Sequence, residues 1–227
     1  MDDLFGSADG FEILPMIDAE VRFWRGFYSS ARSAELMQQL TNETSWRQET
    51  IILWGKQHLQ PRLSAWYADT DTKYAYSGLM LAEREWTATL QQIREDVEAA
   101  TGLRYNSVLL NLYRDGQDSM GWHSDDETEL GINPAVASLS LGATRLFRFR
   151  HRFRHHGAAA QKSVAVELTD GSLLLMAGPT QHYWQHGIAK VRAETGARLN
   201  LTFRKITKRA KSPQQENQDE MGRQSRE

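Results

Sequence analysis

The spacing of hydrophobic residues changes near Gly102, from a helical period to an alternating one. Before that glycine, apolar positions recur at helical spacing and predict one helix over residues 29–40 and another over residues 81–100. The second pattern places Trp86 and Val97 on one face, so both are expected in the core. Gly102 is then the expected C-terminal stop of that helix.

After Gly102 the apolar residues alternate in short β-rich runs. Turn signals such as Asp115-Gly116 and Asp170-Gly171 separate these runs. Many short strands divided by turns favour a mainly β, α+β fold with a sandwich or jelly-roll barrel, flanked by the N-terminal helices. The predicted strands cover residues 105–114, 135–141, 146–151, 164–168, 172–176 and 197–204.

The chain has 227 residues, which suits one domain, and we assign that domain to residues 11–206. Residues 1–10 are expected to be a flexible lead, and residues 207–227 a disordered polar tail. No apolar run is long enough to span a membrane, and the start of the chain is acidic, so we expect a soluble monomer in the cytoplasm, or in the nucleus of a eukaryote. The absence of cysteine excludes disulfides, thiolate zinc sites and cysteine nucleophiles.

The formal net charge of −2 does not indicate a polyanionic partner for the chain as a whole. Residues 145–156, however, carry five arginines and three histidines without any acid. This density favours contact with a polyanion, and a solvated strand face remains the alternative.

His123 and Asp125, together with the distant His186, form the residue set of a facial triad that holds Fe(II) and leaves coordination positions open. In a strand, His123 and Asp125 would point to the same face. His182, His58 and the adjacent pair His155-His156 fit this pattern less well. A purely structural role for His186 remains the alternative.

A second polar pattern follows, in which Arg198, Asn200, Thr202 and Arg204 share one face of a predicted strand. Leu199, Leu201 and Phe203 would then point into the core. Two guanidinium groups on one face suit a dicarboxylate, because each can bind a carboxylate in a bidentate manner. A dicarboxylate beside iron suggests 2-oxoglutarate and dioxygen as cosubstrates, unless these arginines form surface salt bridges.

Residues 48–206 resemble the AlkB-type dioxygenases, which depend on Fe(II) and 2-oxoglutarate, and most closely the human-type DNA-repair branch. The resemblance implies a double-stranded β-helix (jelly-roll) core over about residues 103–206 and a substrate-recognition part over about residues 45–80. Arg204 best fits the distal carboxylate of 2-oxoglutarate, and Arg198 is expected to act through the carboxylate nearer the metal or its neighbouring hydrogen bonds. The matching motifs are Trp54-Gly55-Lys56, Pro61-Arg62, the segment 74–78, Asn111-Leu112-Tyr113, the segment 123–127, the segment 138–143, His186 and the segment 198–204.

By the same resemblance, each polar residue of the site receives a role. The implied iron ligands are His123, Asp125 and His186. The implied 2-oxoglutarate contacts are Asn111, Tyr113, Arg198, Thr202 and Arg204. The implied substrate contacts are Trp54, Lys56, Arg62, Tyr74, Tyr76, Asp126 and Glu127.

The resemblance implies oxidative demethylation of N-alkylated bases in DNA, typically 1-methyladenine and 3-methylcytosine, with release of formaldehyde, succinate and CO2. Trp54 would enter the gap left by a flipped base, although a buried strand over residues 51–54 is the alternative. Lys56, Arg62 and the Arg148–Arg154 cluster would bind phosphates, while Asp126 and Glu127 would contact the base. Two alternatives are the same chemistry on RNA or a protein side chain, and a catalytically silent nucleic-acid-binding jelly roll.

Overall fold

A computed structural model describes residues 10–53, 56–70, 75–76, 79–80, 84–153 and 163–207. The predicted flexible lead and polar tail therefore lie almost wholly outside the described residues. The described chain runs in the order β1 (Glu12–Ile13), β2 (Glu20–Trp24), α1 (Ser30–Glu43), β3 (Thr50–Leu53), β4 (Lys56–Leu59), β5 (Leu63–Ala68), β6 (Ala75–Tyr76), β7 (Leu79–Met80), α2 (Ala88–Thr101), β8 (Ser107–Tyr113), β9 (Met120–His123), β10 (Val136–Gly142), β11 (Arg145–His151), β12 (Ser163–Leu168), β13 (Ser172–Ala177), α3 (Thr180–Tyr183), β14 (Trp184–Ile188) and β15 (Arg198–Arg204).

Two antiparallel sheets form the framework. The major sheet has the strand order β1-β2-β13-β10-β15-β8-β5, and the minor sheet has the order β12-β11-β14-β9. Two separate hairpins, β3-β4 and β6-β7, come from the part of the chain assigned to substrate recognition. Two facing antiparallel sheets agree with the predicted mainly β jelly-roll core.

The two faces of the major sheet contact different layers. On one face, Leu36 of α1 and Ile93 of α2 pack with Leu139, Leu201 and other strand residues. On the opposite face, apolar residues of the major sheet pack against those of the minor sheet, where Phe149 and Trp184 are fully buried. Each central strand thus contributes alternate residues to two cores, which is the basis of the alternating pattern in the sequence.

Both helices were predicted, but the start of α2 was not. α1 begins after Ser29, whose side chain accepts a hydrogen bond from the backbone N–H of Arg32. α2 begins at Ala88 because Thr87 caps it, and Trp86 lies before the helix with its ring stacked on Phe203 at 6.3 Å between centroids. The predicted start at residue 81 is therefore wrong, since local capping outweighs the apolar spacing further upstream.

The end of α2 agrees with the prediction, because Gly102 has a φ of 73° and follows the last helical residue. The major sheet extends beyond the predicted core of residues 103–206, since β1, β2 and β5 also belong to it. Within the described part of the chain, no helix has the length and apolar character needed to cross a lipid bilayer.

Candidate metal centre

Three potential metal ligands meet where β9 and β14 pair. His186 lies directly opposite His123 in the register of these strands, and the two rings are 4.3 Å apart between centroids. The ligand atoms of His123, Asp125 and His186 all lie within 4.8 Å of one another. The structure therefore brings together the three residues that the sequence pattern indicated.

Asp125 reaches the site by a different route from the one predicted. β9 ends at His123, so Asp125 lies in the following loop and not in a strand. Its backbone N–H donates a hydrogen bond to the Oε1 atom of Gln181 in α3, at 3.0 Å. Gln181 is fully buried, and it holds the loop so that the Asp125 carboxylate faces both histidines.

The electrostatics of the three groups suit a divalent cation. Burial lowers the pKa of His186 to about 3 and also lowers the pKa of His123, so both rings are neutral near pH 7. Burial alone would raise the pKa of Asp125, but the positive charge of Arg204 and the two nearby histidines outweigh it and lower this pKa to about 2. Two neutral imidazoles and one carboxylate are therefore available as ligands.

Unsatisfied atoms within this cluster support the metal assignment. Among the described residues, Asp125 Oδ2 is buried without a hydrogen-bond partner. His123 Nδ1 lies 3.0 Å from the carbonyl oxygen of Gly121, which leaves its Nε2 atom available as a ligand. A buried carboxylate oxygen without a donor is costly, and a bound cation would remove that cost.

The polar face of β15 lies beside this cluster. Asn200 donates through Nδ2 to Ser138 Oγ at 2.8 Å and to the carbonyl oxygen of Leu139 at 3.0 Å. Thr202 Oγ1 donates to Asn200 Oδ1 at 3.1 Å. The opposite face, with Leu199, Leu201 and Phe203, packs into the helix-side core as predicted.

The two arginines lie at opposite ends of this strand, and their order differs from the expectation. Arg204 donates through Nη2 to Asp125 Oδ1 at 2.7 Å, so Arg204 is at the metal end. Arg198 donates to Ser140 Oγ at 2.8 Å, and its guanidinium carbon is 5.2 Å from the centre of the Tyr113 ring. The expectation that Arg198 lies nearer the metal is therefore wrong.

Arg62 also lies elsewhere than the sequence indicated. It is only 5% exposed, and its Nε donates to Asn111 Oδ1 at 2.9 Å, while Nη1 donates to the carbonyl oxygen of Ser119 at 3.3 Å. The expected phosphate contact by Arg62 is corrected accordingly, because its guanidinium is directed to these protein acceptors. Since arginine only donates hydrogen bonds, the Asn111 amide must present its oxygen to Arg62 and keep Nδ2 as a donor.

A single pocket unites the metal ligands with the polar faces of β8 and β15. Sequence reasoning placed Asn200 on the polar face of the predicted strand but gave it no role in the site. It did not assign Ser138 or Met176 to the site. Gln181, behind Asp125, had no comparable local signal. The pocket lining consists of Asn111, Tyr113, Met120, His123, Asp125, Ser138, Phe147, Met176, His186, Ile188, Asn200, Thr202 and Arg204.

Only some of the expected substrate contacts fall within the described residues. Lys56 is exposed at the start of β4 and pairs in register with Leu53. Asp126 Oδ1 lies 2.6 Å from His182 Nδ1, and Asp126 Oδ2 lies 3.4 Å from Arg152 Nη1. Glu127 precedes a short 3-10 turn over Thr128–Leu130. Trp54, Tyr74 and the side chain of Tyr76 lie outside the described part.

Within residues 145–153, the described part of the basic segment, the arginines do not form one continuous surface. Arg145 is only 2% exposed and donates to the carbonyl oxygens of Asp115, Asp118 and Ala189. Its position beside Tyr113, at 5.8 Å from the ring centre, gives it a role inside the fold. Arg148, in contrast, is exposed on the other face of β11.

Comparison with known proteins gives one consistent family. Residues 20–204 match the profile of the 2OG-Fe(II) oxygenase superfamily. The chain is 38% identical to the human DNA oxidative demethylase ALKBH2 over 206 residues, which is 89% of this chain and 71% of that protein. The corresponding bovine protein is also 38% identical, over 89% of this chain and 66% of its own length.

A second group of relatives includes the human alpha-ketoglutarate-dependent dioxygenase alkB homolog 3, at 37% identity over 83% of this chain and 66% of that protein. The chain thus spans about two thirds of the length of these relatives. Among solved structures, OsALKBH1 shares the fold with a TM-score of 0.55 at 18% identity, over 82% of this chain and 97% of that one. From the profile match and these identities, the chain belongs to the 2OG-Fe(II) oxygenase superfamily.

Proposed function

We propose that this protein oxidatively demethylates N-alkylated bases in DNA, with 1-methyladenine and 3-methylcytosine as typical substrates. The products are the repaired base and formaldehyde, together with succinate and CO2 from 2-oxoglutarate. The observation that carries this proposal is the 38% identity to a DNA oxidative demethylase over 89% of the chain. The buried His-Asp-His cluster beside two buried arginines supports it.

When bound, Fe(II) and 2-oxoglutarate supply the activation of dioxygen that oxidises the methyl group. His123, Asp125 and His186 would hold the metal. Arg204 compensates the charge of Asp125 at the metal end of the site. Arg198 would bind the carboxylate of 2-oxoglutarate that is farther from the metal, a reversal of the order expected from the sequence.

Some of the remaining lining residues would orient 2-oxoglutarate, and others would exclude water from the pocket. Asn111 keeps an N–H donor for an oxygen of 2-oxoglutarate because Arg62 engages its carbonyl oxygen. Tyr113 and Thr202 would add hydrogen bonds to the same cosubstrate. Apolar side chains of Phe147 and Ile188 line the pocket beside the metal ligands, where they limit the access of water.

Recognition of the base is proposed for residues around the pocket and in the segment 45–80. Asp126 and Glu127 follow the metal ligand Asp125 directly and would contact the polar edge of the base. Tyr74 and Tyr76 would line the base pocket, and Trp54 would fill the duplex gap. Lys56, which is exposed, would bind a phosphate.

Formaldehyde release from a panel of methylated substrates tests the function. The purified chain would be supplied with Fe(II) and 2-oxoglutarate and offered 1-methyladenine and 3-methylcytosine in single-stranded DNA, duplex DNA and RNA, with a methylated peptide as a further arm. We expect release from DNA and none with His186→Ala. Release from RNA or peptide alone would support the alternative substrates, and no release from any arm by an iron-loaded protein would overturn the proposal.

A further inference from the structure

The outer face of the minor sheet carries a groove that the metal site does not use. Along β11, Phe149 points into the core between the sheets, so its neighbours Arg148 and Arg150 point to the other face. Across the pairing with β14, Phe149 lies opposite His186 and Arg150 lies opposite Gln185. The metal site and the groove therefore lie on opposite faces of the same sheet.

This outer groove has a volume of about 490 Å³. Two of its lining residues are arginines, one is a tryptophan, and small residues of β12 form its other side. Among the described residues, no acidic side chain lines this groove. Glu167 of β12 lies outside the lining, opposite Leu146 in the register of β11 and β12. The lining includes Trp122, Arg148, Phe149, Arg150, Ser163 and Ala165.

An exposed indole is held next to a fixed guanidinium in this groove. Trp122 is 42% exposed, although it directly precedes the metal ligand His123. The guanidinium carbon of Arg150 lies 4.6 Å from the centre of the Trp122 ring, and its Nε donates to Gln185 Oε1 at 2.9 Å. Arg150 is thus oriented before any ligand binds.

Within the described part of the chain, neither Arg148 nor Arg150 forms an ion pair with a carboxylate. Gly187 lies opposite Arg148, and a side chain at this position would meet the backbone oxygens of Met120 and Gly121 at 3.0 and 3.1 Å, so only glycine lets β9 approach β14 this closely. The groove therefore combines an exposed indole, which Arg150 contacts, with two arginines that no carboxylate of the described residues pairs.

We propose that the outer groove binds a short stretch of single-stranded nucleic acid that continues from the base held at the metal site. A nucleobase would stack on Trp122, and the adjoining phosphates would bind Arg148 and Arg150. The proposal deepens the proposed function and rests on it for the class of ligand. β9 is the edge strand of the minor sheet, so a polynucleotide can pass around it from one face to the other.

The chemistry of the groove favours a polynucleotide over an acidic protein segment. The carboxylates of an acidic segment would bind the two arginines, but such a segment has no group that requires an exposed indole. A polynucleotide carries both anionic groups and planar rings, which suits a groove that is lined by Trp122 together with Arg148 and Arg150. Strand spacing places β9 and β11 about 10 Å apart, so the site accommodates only a short stretch.

Fluorescence anisotropy with a labelled, unmethylated oligothymidylate tests this proposal on the full chain. Trp122→Ala should weaken binding by roughly 5- to 150-fold, which corresponds to about 1 to 3 kcal/mol per stacked base, and Trp122→Phe should restore much of it. The double variant Arg148→Gln with Arg150→Gln should bind more weakly. It should also reduce the magnitude of the slope of log binding constant against log salt concentration by about 1.4, because each of the two lost phosphate contacts contributes about 0.7.

The control for each arginine substitution is Arg104→Gln, which removes one positive charge from a side chain that is 83% exposed, beyond the end of α2. It should bind like the wild type, and thermal melting would verify that each variant is folded. Folded groove variants that bind like Arg104→Gln would overturn the proposal. Competition by polyglutamate that is equally strong in wild type and Trp122→Ala would do the same, in favour of an acidic partner. Because binding is measured without turnover, failure of the groove is distinguishable from failure of demethylation.

Discussion

Arg62 donates a hydrogen bond through its Nε atom to Oδ1 of Asn111, at 2.9 Å. Both residues are buried, and Asn111 lines the pocket that contains the metal ligands. This bond fixes which end of the Asn111 amide faces the pocket, because arginine has no acceptor atom. Arg62 is therefore a positioning residue for Asn111.

Arg62→Lys should raise the apparent KM for 2-oxoglutarate by about 3- to 10-fold, in line with about 1 kcal/mol for a hydrogen bond. The lysine keeps the charge but loses the planar fork, so kcat should change less than KM. A double-mutant cycle with Asn111→Ala should show that the two effects are not additive. A raised KM for DNA, with an unchanged KM for 2-oxoglutarate, would instead support the prediction from the sequence that Arg62 binds a phosphate.

The positions of Arg198 and Arg204 predict different defects for the same substitution. Arg204→Lys should weaken metal binding as well as 2-oxoglutarate binding, because the Arg204 hydrogen bond orients the carboxylate of the metal ligand Asp125 and the lysine loses the planar fork that makes it. Arg198→Lys should raise only the KM for 2-oxoglutarate, by about tenfold or more, the value for a charged hydrogen bond of roughly 1.5 to 3 kcal/mol. Metal titration alongside steady-state kinetics separates the two, and equal metal affinities in both variants would contradict this assignment.

Removal of any one ligand should abolish metal-dependent turnover without unfolding the chain. His123→Ala, Asp125→Ala and His186→Ala are the direct variants, and Asp125→Asn keeps the shape while it removes the ligand charge. Metal content after dialysis, with circular dichroism as a control of folding, is the measurement. A variant with normal metal content and normal turnover would exclude that residue from the ligand set.

Asp118 predicts a specific acid sensitivity. Burial would raise its pKa, but three hydrogen bonds from Arg114 outweigh burial and lower it. A carboxylate with a lowered pKa in the folded state stabilises the protein above its unfolded pKa of about 3.9 and loses that contribution as the pH falls. Asp118→Asn should cost roughly 1 to 2 kcal/mol near pH 7, allowing for the half-exposed Arg114.

Urea unfolding of wild type and Asp118→Asn at several pH values checks this expectation. The difference between the two free energies of unfolding should be largest above pH 5 and should shrink below about pH 4. A difference that is constant across this range would show that the charge of Asp118 is not what stabilises the turn.

Trp54 provides the test of duplex recognition. If its ring fills the gap left by a flipped base, Trp54→Ala should reduce activity on duplex DNA more than on single-stranded DNA, by stacking worth roughly 1 to 3 kcal/mol. A Trp54 in a packed core would instead lower the melting temperature and reduce both activities equally. The ratio of the two activities, measured beside the melting temperature, distinguishes these outcomes.

The sequence predicted best those features that depend on local periodicity. Alternation along β15 correctly separated the polar face from Leu199, Leu201 and Phe203, because each strand residue has a fixed face. Strand alternation also predicted that Asp125 joins His123 at the metal site, and it does. The reason is different, because Asp125 lies in a loop that Gln181 holds in place. Neither that contact nor the Arg62–Asn111 bond has a local signature, since each joins segments that are distant along the chain.

The pairing of β9 with β14 has a consequence for the biogenesis of the protein. His123 and His186 become neighbours only when these distant strands pair, and Gln181, which positions Asp125, lies in α3 immediately before β14. A nascent chain that has not yet emerged as far as β14 therefore has no complete metal site. The ion cannot template early folding, and its uptake should follow closure of the minor sheet and then stabilise the closed form.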